Sequence, residues 1–168
     1  MLYLIGFMGV GKSTIGLELA KQCNLPFIDT DKEIEKREGK DIANIFKTKG
    51  ENYFRNIESI IIRNIKQKSI IACGGGLPLS NNNIQYLQSQ GNSIYLKASE
   101  KTLYRRLKKR INIRPLIFNK SDDELKEFIK KNLKIREVVY KKADHTINID
   151  NLKKEHILRE IHTLPISL

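Results

Sequence analysis

The stretch Gly6-Phe7-Met8-Gly9-Val10-Gly11-Lys12-Ser13-Thr14 limits what this chain can fold into more than any other part of it. Gly6, Gly11, Lys12 and Ser13 meet the spacing G-x-x-x-x-G-K-[ST], a turn that joins a strand to a helix and aims its backbone N–H groups at phosphate oxygens. The context agrees. Residues 2–5 read as a short buried strand, and residues 12–23 as a helix with Ile15, Leu19 and Ala20 on one face. Gly9, Val10, Gly11, Lys12, Ser13 and Thr14 are therefore candidate contacts for the phosphates of ATP. Lys12 is placed for the β- and γ-phosphates, and the Ser13 hydroxyl for Mg2+.

The rest of the chain keeps alternating strand and helix. Further strands are expected at 26–29, 69–73, 93–96 and 145–149. Helices are expected at 31–37, 41–47, 51–66, 80–90, 99–110 and 151–162, and a long one opening at 121, with Ser80 and Ser99 as N-caps and Ser121 to Glu124 as a capping box. That alternation predicts an α/β fold, a parallel sheet with helices on both faces, and a ligand site at the carboxyl ends of the strands.

With 168 residues the chain is expected to be one domain, 1–168. No run of apolar residues is long enough for a membrane span, and residues 2–5 are too short for a signal peptide. Cys23 and Cys73 lack ligand spacing and read as reduced thiols of a cytoplasmic protein. The formal net charge of +12 invites nucleic acid as a partner. The basic residues are however spread among acids, and only 104–110 is a dense basic run, so a solvated surface is the reading preferred here.

Further candidates fall at strand ends. Asp29 and Asp31 alternate in direction, so one is placed for a metal and the other for an acceptor; helix capping by Thr30 or Asp31 is the competing reading. Arg55 and Glu58 meet on one helix face, as a site pair or as an ordinary surface pair. Arg136 falls on the apolar stripe of Leu125, Ile129, Leu133 and Tyr140, either snorkelling or facing an anion. Gly74-Gly75-Gly76 suits a close ligand approach or a tight turn. Arg110 and Arg114 sit in an irregular basic segment that suits a lid or a solvated loop.

In order and approximate spacing, GFMGVGKST, the DTD at 29–31, G-E-x-x-F-R-x-x-E at 50–58, GGG at 74–76, RPL at 114–116 and R-x-x-x-Y-x-x-A at 136–143 resemble the shikimate kinase family. The resemblance implies a three-layer P-loop kinase fold, with a five-stranded parallel sheet of the nucleoside monophosphate kinase type. It implies transfer of the ATP γ-phosphate to the 3-hydroxyl of shikimate, with Mg2+, on the chorismate route to aromatic amino acids. The protein would be a cytoplasmic monomer with no nucleic-acid or membrane partner, with substrate-binding helices at about 31–66 and a lid at about 110–120.

Residue by residue, the resemblance implies that Asp31 holds the shikimate hydroxyls and takes or orients the proton, and that Asp29 lies near Mg2+. Arg55 and Arg136 would grip the carboxylate, braced by Glu58, with Gly74, Gly75 and Gly76 beneath and Phe46 and Phe54 as an apolar wall. Arg114 would reach the phosphates, Arg110 would pack on the adenine, and Asp150 would belong to the adenine loop. The chain departs from the family pattern at Val138, where a proline is usual, and at Ile117, where a leucine is usual. A kinase of the same fold acting on gluconate or a nucleotide is the alternative. The 30–70 region, with an acid, an Arg–Glu pair and phenylalanines, favours shikimate.

Overall fold

The computed structural model describes residues 1–109, 111 and 115–166. In chain order the elements are β1 (Leu2–Ile5), α1 (Lys12–Gln22), β2 (Phe27–Asp29), α2 (Thr30–Glu38), α3 (Ile42–Asn64), β3 (Ile70–Ala72), α4 (Asn83–Gln90), β4 (Asn92–Lys97), α5 (Glu100–Lys108), α6 (Asp122–Tyr140), β5 (His145–Asn148) and α7 (Lys154–Thr163). One-turn 3-10 segments occupy Leu77–Leu79 and Pro115–Ile117.

The five strands form one parallel sheet in the order β2-β3-β1-β4-β5, as the alternation predicted. Leu2, Tyr3, Leu4 and Ile5 on the central strand are all buried, the mark of a strand covered on both faces. From β1 the chain builds first to one side, through β2 and β3, and then to the other, through β4 and β5. The carboxyl end of β1 is thus the switch point, where folds of this class open a crevice. The phosphate loop leaves β1 there, Asp29 ends β2, and the triple glycine follows β3.

The helical segment expected at 41–47 and that at 51–66 join into α3, which is broken at Gly50 with φ 78° and ψ 173°. Only glycine enters that region without strain, which is why the two segments meet on a glycine. Asp41 caps the first segment by accepting from the Asn44 N–H at 2.8 Å. Two cores result. The larger spans the sheet and its covering helices, and a smaller one gathers Ile34, Ile45, Phe54 and Ile57 between α2 and α3.

Ser99 caps α5, and Ser121 with Glu124 forms the capping box of α6, both as expected. Ser80 does not cap α4. Asn81 and Asn82 take left-handed φ values of 52° and 54°, so the chain turns once more before the helix starts at Asn83. That start is held by tertiary bonds instead, from Asn83 Nδ2 to the Leu77 carbonyl and from Arg63 to Asn83 Oδ1. The last helix likewise begins at Lys154 rather than at 151, because Asn151 is left-handed (φ 60°). Helix α5 ends at Lys108, short of the expected 110.

Candidate active site

The phosphate loop is built around an uncapped helix. Gly11, at φ 108°, is the N-cap of α1 and offers no side chain to bond the first N–H groups. Those donors, with the positive end of the helix, remain open to an anion. Lys12 Nζ lies back across the loop, donating to the carbonyls of Gly6 at 2.8 Å and Phe7 at 3.1 Å. A cavity of about 420 Å³ opens beside it, lined by residues 8–15, Asp29, Asp31, Cys73 and Gly75, and on its far side by Arg106, Leu152 and Lys154.

The three residues of DTD divide three tasks. Asp29 is the N-cap of α2: Oδ1 accepts the Asp31 N–H at 3.1 Å, and Oδ2 accepts the Ser13 hydroxyl at 2.6 Å. The capping that the competing reading gave to Thr30 or Asp31 therefore belongs to Asp29. Thr30 is fully buried and its Oγ1 accepts the Gly74 N–H at 2.8 Å, which pins the start of the glycine segment to α2. Asp31 is left to face across the cleft. Ser13 and Asp29 offer adjoining hard oxygen donors, the set a magnesium ion takes when phosphate and water complete its shell.

The triple glycine is a bed on which charged side chains lie. A Cβ on Gly74 would collide with Asp31 Oδ1 and stand 3.0 Å from Glu58 Oε1. One on Gly75 would stand 3.4 Å from Arg136 Nη1 and 3.5 Å from the Met8 N–H nitrogen. One on Gly76 would fall onto the Arg55 guanidinium. Two acids and two arginines thus meet over three residues at the end of β3, with the phosphate loop touching their edge. The segment does turn, the Leu77 N–H donating to the Gly74 carbonyl at 3.1 Å, but none of the three glycines takes a positive φ, so the turn alone does not call for them.

Arg55 is held on two sides. Its Nη1 donates to Glu58 at 2.7 Å, while Nε and Nη2 both donate to Glu51 Oε1, at 3.2 and 3.0 Å. Those bonds use three of the five N–H donors of a guanidinium, so two remain for a ligand. Phe46 and Phe54 pack together with centroids 4.5 Å apart, and the Arg55 guanidinium lies 5.9 and 5.5 Å from their rings. Burial works against the Arg55 cation, but Glu58 and Glu51 together outweigh it and raise its pKa.

Glu58 is 1% exposed, so the bland surface-pair reading does not hold. Burial pushes its pKa up to about 7 against the pull of Arg55, with a smaller upward push from Asp31 and a smaller downward pull from Arg136. A folded-state value above the ordinary 4.5 means that the folded protein binds this proton more tightly than the unfolded chain does. The stabilisation is complete below pH 4.5 and is lost as pH rises through about 7. We expect the free protein to lose roughly 2–4 kcal/mol from this group across that window. Denaturant midpoints measured from pH 5 to 8 check this, and Glu58→Gln should flatten the slope.

Arg136 projects from α6 with its guanidinium 5.3 Å from the Phe7 ring, and Nη2 donates to Asn132 Oδ1 at 3.4 Å. One turn on, the buried Tyr140 hydroxyl donates to the Gly75 carbonyl at 2.5 Å. Arg136 therefore faces the cleft and does not snorkel. Arg110 and Arg114, the latter the expected lid arginine, lie outside the described residues. Asp150 accepts from the Ser99 N–H and hydroxyl at 3.1 Å, tying the loop after β5 to the start of α5, while Leu152 and Lys154 supply the adjoining cavity wall.

One contact was missed from the sequence. Arg106 Nη1 donates to the Val10 carbonyl at 2.6 Å and overhangs the phosphate loop. In the sequence it sits inside a dense basic run. Helix phase was the available signal: Leu103 and Leu107 are buried, so position 106 borders the inward stripe and position 105 faces out.

Comparison with known proteins identifies the family. The family model described as shikimate kinase matches residues 8–164. The chain belongs to the shikimate kinase family. A shikimate kinase of Flavobacterium johnsoniae is 43% identical over 162 residues, covering 94% of each chain. One from Azobacteroides pseudotrichonymphae is 45% identical over 130 residues, 76% of each chain. The crystal structure of shikimate kinase from Bacteroides thetaiotaomicron superposes with a TM-score of 0.91 at 32% identity, covering 96% of this chain and 95% of that one. The Acinetobacter baumannii shikimate kinase, solved in complex with shikimate, gives 0.85 at 30% identity, covering 96% and 89%. A gluconokinase from Sinorhizobium meliloti shares the fold alone, with a TM-score of 0.55 at 16% identity.

Proposed function

We propose that this protein transfers the γ-phosphate of ATP to the 3-hydroxyl of shikimate, yielding shikimate 3-phosphate and ADP. The observation that carries the reading is the glycine bed, where Asp31, Glu58, Arg55 and Arg136 converge against the edge of the phosphate loop. A ring bearing one carboxylate and several hydroxyls matches that set. Two guanidiniums suit a planar carboxylate better than ammonium groups would, and an aspartate accepts from adjacent hydroxyls. A nucleotide acceptor would instead need a wall for a base where Phe46, Phe54 and the Arg55–Glu58 pair stand.

Phosphoryl transfer asks for alignment and charge neutralisation more than for covalent help. Lys12 turns from the loop carbonyls to the β- and γ-phosphate oxygens, while the loop N–H groups hold the β-phosphate. Ser13 and Asp29 would hold Mg2+, which when bound offsets the negative charge of the two outer phosphates. Asp31 accepts the 3-hydroxyl proton as the new O–P bond forms, and the β–γ bridging oxygen leaves with ADP. Arg55 and Arg136 fix the far end of the ring, so the hydroxyl points at the loop. Arg114, assigned through the RPL motif, adds positive charge to the departing phosphates. Arg106, together with Leu152 and Lys154, flanks the nucleoside end. Our reading includes a cytoplasmic monomer; among the described residues no helix is long and apolar enough to cross a membrane.

The test is ADP release by purified protein given Mg-ATP with shikimate, gluconate or a nucleoside monophosphate. Only shikimate should stimulate it. Absence of shikimate-dependent ADP would overturn the assignment.

A further inference from the structure

The phosphate-loop pattern leaves the residue after its first glycine open, so phosphate binding does not explain why Phe7 is aromatic. Nor does it explain why Phe7 is 1% exposed, joining the main core together with Val10 of the same loop. Its contacts do. The Phe7 ring meets Phe128 of α6 edge-on, with centroids 6.4 Å apart. The Arg136 guanidinium stands over the same ring at 5.3 Å. The Phe7 carbonyl meanwhile accepts from Lys12 Nζ at 3.1 Å and from the Val10 N–H at 3.3 Å. One residue therefore touches the donor lysine through its backbone and the acceptor arginine through its side chain.

We propose that Phe7 is a positioning residue for the acceptor: its ring seats the Arg136 guanidinium above the glycine bed and ties that arginine to the phosphate loop. The inference rests on the shikimate reading given above. Arg136 donates a long bond to Asn132 at 3.4 Å and also reaches toward the Tyr140 hydroxyl, whose own proton goes to the Gly75 carbonyl, so hydrogen bonding alone fixes its plane poorly. An aromatic face beneath a guanidinium supplies both attraction and a flat seat. The edge contact with Phe128 keeps that face from turning. On the other side, Gly75 leaves room for Arg136 and for the loop backbone at Met8 together. Arg136 is thus confined between loop and bed.

A double-mutant cycle tests this, using wild type, Phe7→Leu, Arg136→Met and the double variant, with thermal unfolding recorded for each. Leucine keeps the apolar bulk but has no ring face. Phe7→Leu should raise the KM for shikimate about 3- to 10-fold, with the KM for ATP and kcat changed less than about twofold. Added to Arg136→Met, it should lower kcat/KM for shikimate by less than about a further twofold, because its target is already gone. Multiplicative effects in the cycle, or an equal rise in the KM for ATP, would overturn the proposal. Phe7→Met carries the same expectation if the leucine variant unfolds; if both unfold, Phe7 is a core residue and the proposal falls. A wild-type protein without shikimate-dependent turnover would condemn the functional reading instead, so the two failures are told apart.

Discussion

Asp31→Asn should lower kcat by about 10²- to 10⁴-fold while leaving nucleotide affinity within about threefold, the range expected for loss of a general base. The substitution is nearly isosteric. The helix cap at this point uses the Asp31 backbone N–H and the Asp29 carboxylate, so α2 keeps its start. The Ser13–Asp29 contact and the uncapped N-terminus of α1 are untouched as well, so ATP should still dock. What disappears is the proposed acceptor for the hydroxyl proton, at the place where shikimate would lie on the glycine bed. Steady-state kinetics paired with direct nucleotide titration checks both halves. Near-normal kcat would take Asp31 out of the chemistry, and a matching loss of nucleotide affinity would make it part of the ATP site.

The second large effect comes from adding a single carbon. Gly76→Ala would put a methyl group 2.6 Å from the Arg55 Cζ and 2.8 Å from Nη2. Arg55 has little freedom to yield, since Glu51 and Glu58 hold it from two sides and two phenylalanines pack against it. Either the guanidinium or the glycine segment must shift by about an ångström, a displacement that costs on the order of 10²-fold in productive binding. We expect that loss in kcat/KM for shikimate, mostly in KM, with the KM for ATP nearly unchanged. Gly75→Ala is the comparison. Its methyl would rest at ordinary contact distances of 3.4 and 3.5 Å, so its effect should be much smaller. Equal effects at the two positions would show that backbone freedom, rather than room for Arg55, is what the glycines provide.

Much of this was legible in the sequence because it is local. A Walker spacing, a strand-to-helix alternation, the caps at Ser99 and Ser121 and the break at Gly50 each depend on a handful of neighbouring residues. Arg136 was legible as an arginine on an apolar stripe, but not what seats it, since Phe7 is far away in sequence. The glycine bed shows the same limit. Three glycines in a row announce a special need, and only the fold shows that the need is space for side chains from α2, α3 and α6 rather than a left-handed turn. The capping role of Asp29 was missed because two acids flank one threonine, and the choice among them is made by Ser13 across the cleft. Ser80 failed as a cap because consecutive left-handed asparagines outweighed it.

The small cluster of Ile34, Ile45, Phe54 and Ile57 packs apart from the main core. Phe46 and the first part of α3 therefore pack on a small foundation of their own, whereas Arg55 and Glu58, past the break at Gly50, sit on a segment whose Ile62 joins the main core. Small units with few buried apolar contacts open at a lower free-energy cost than the whole molecule. We expect backbone amides in the first part of α3 to exchange faster than those of β1, so that this wall of the cleft breathes without the sheet that carries the phosphate loop.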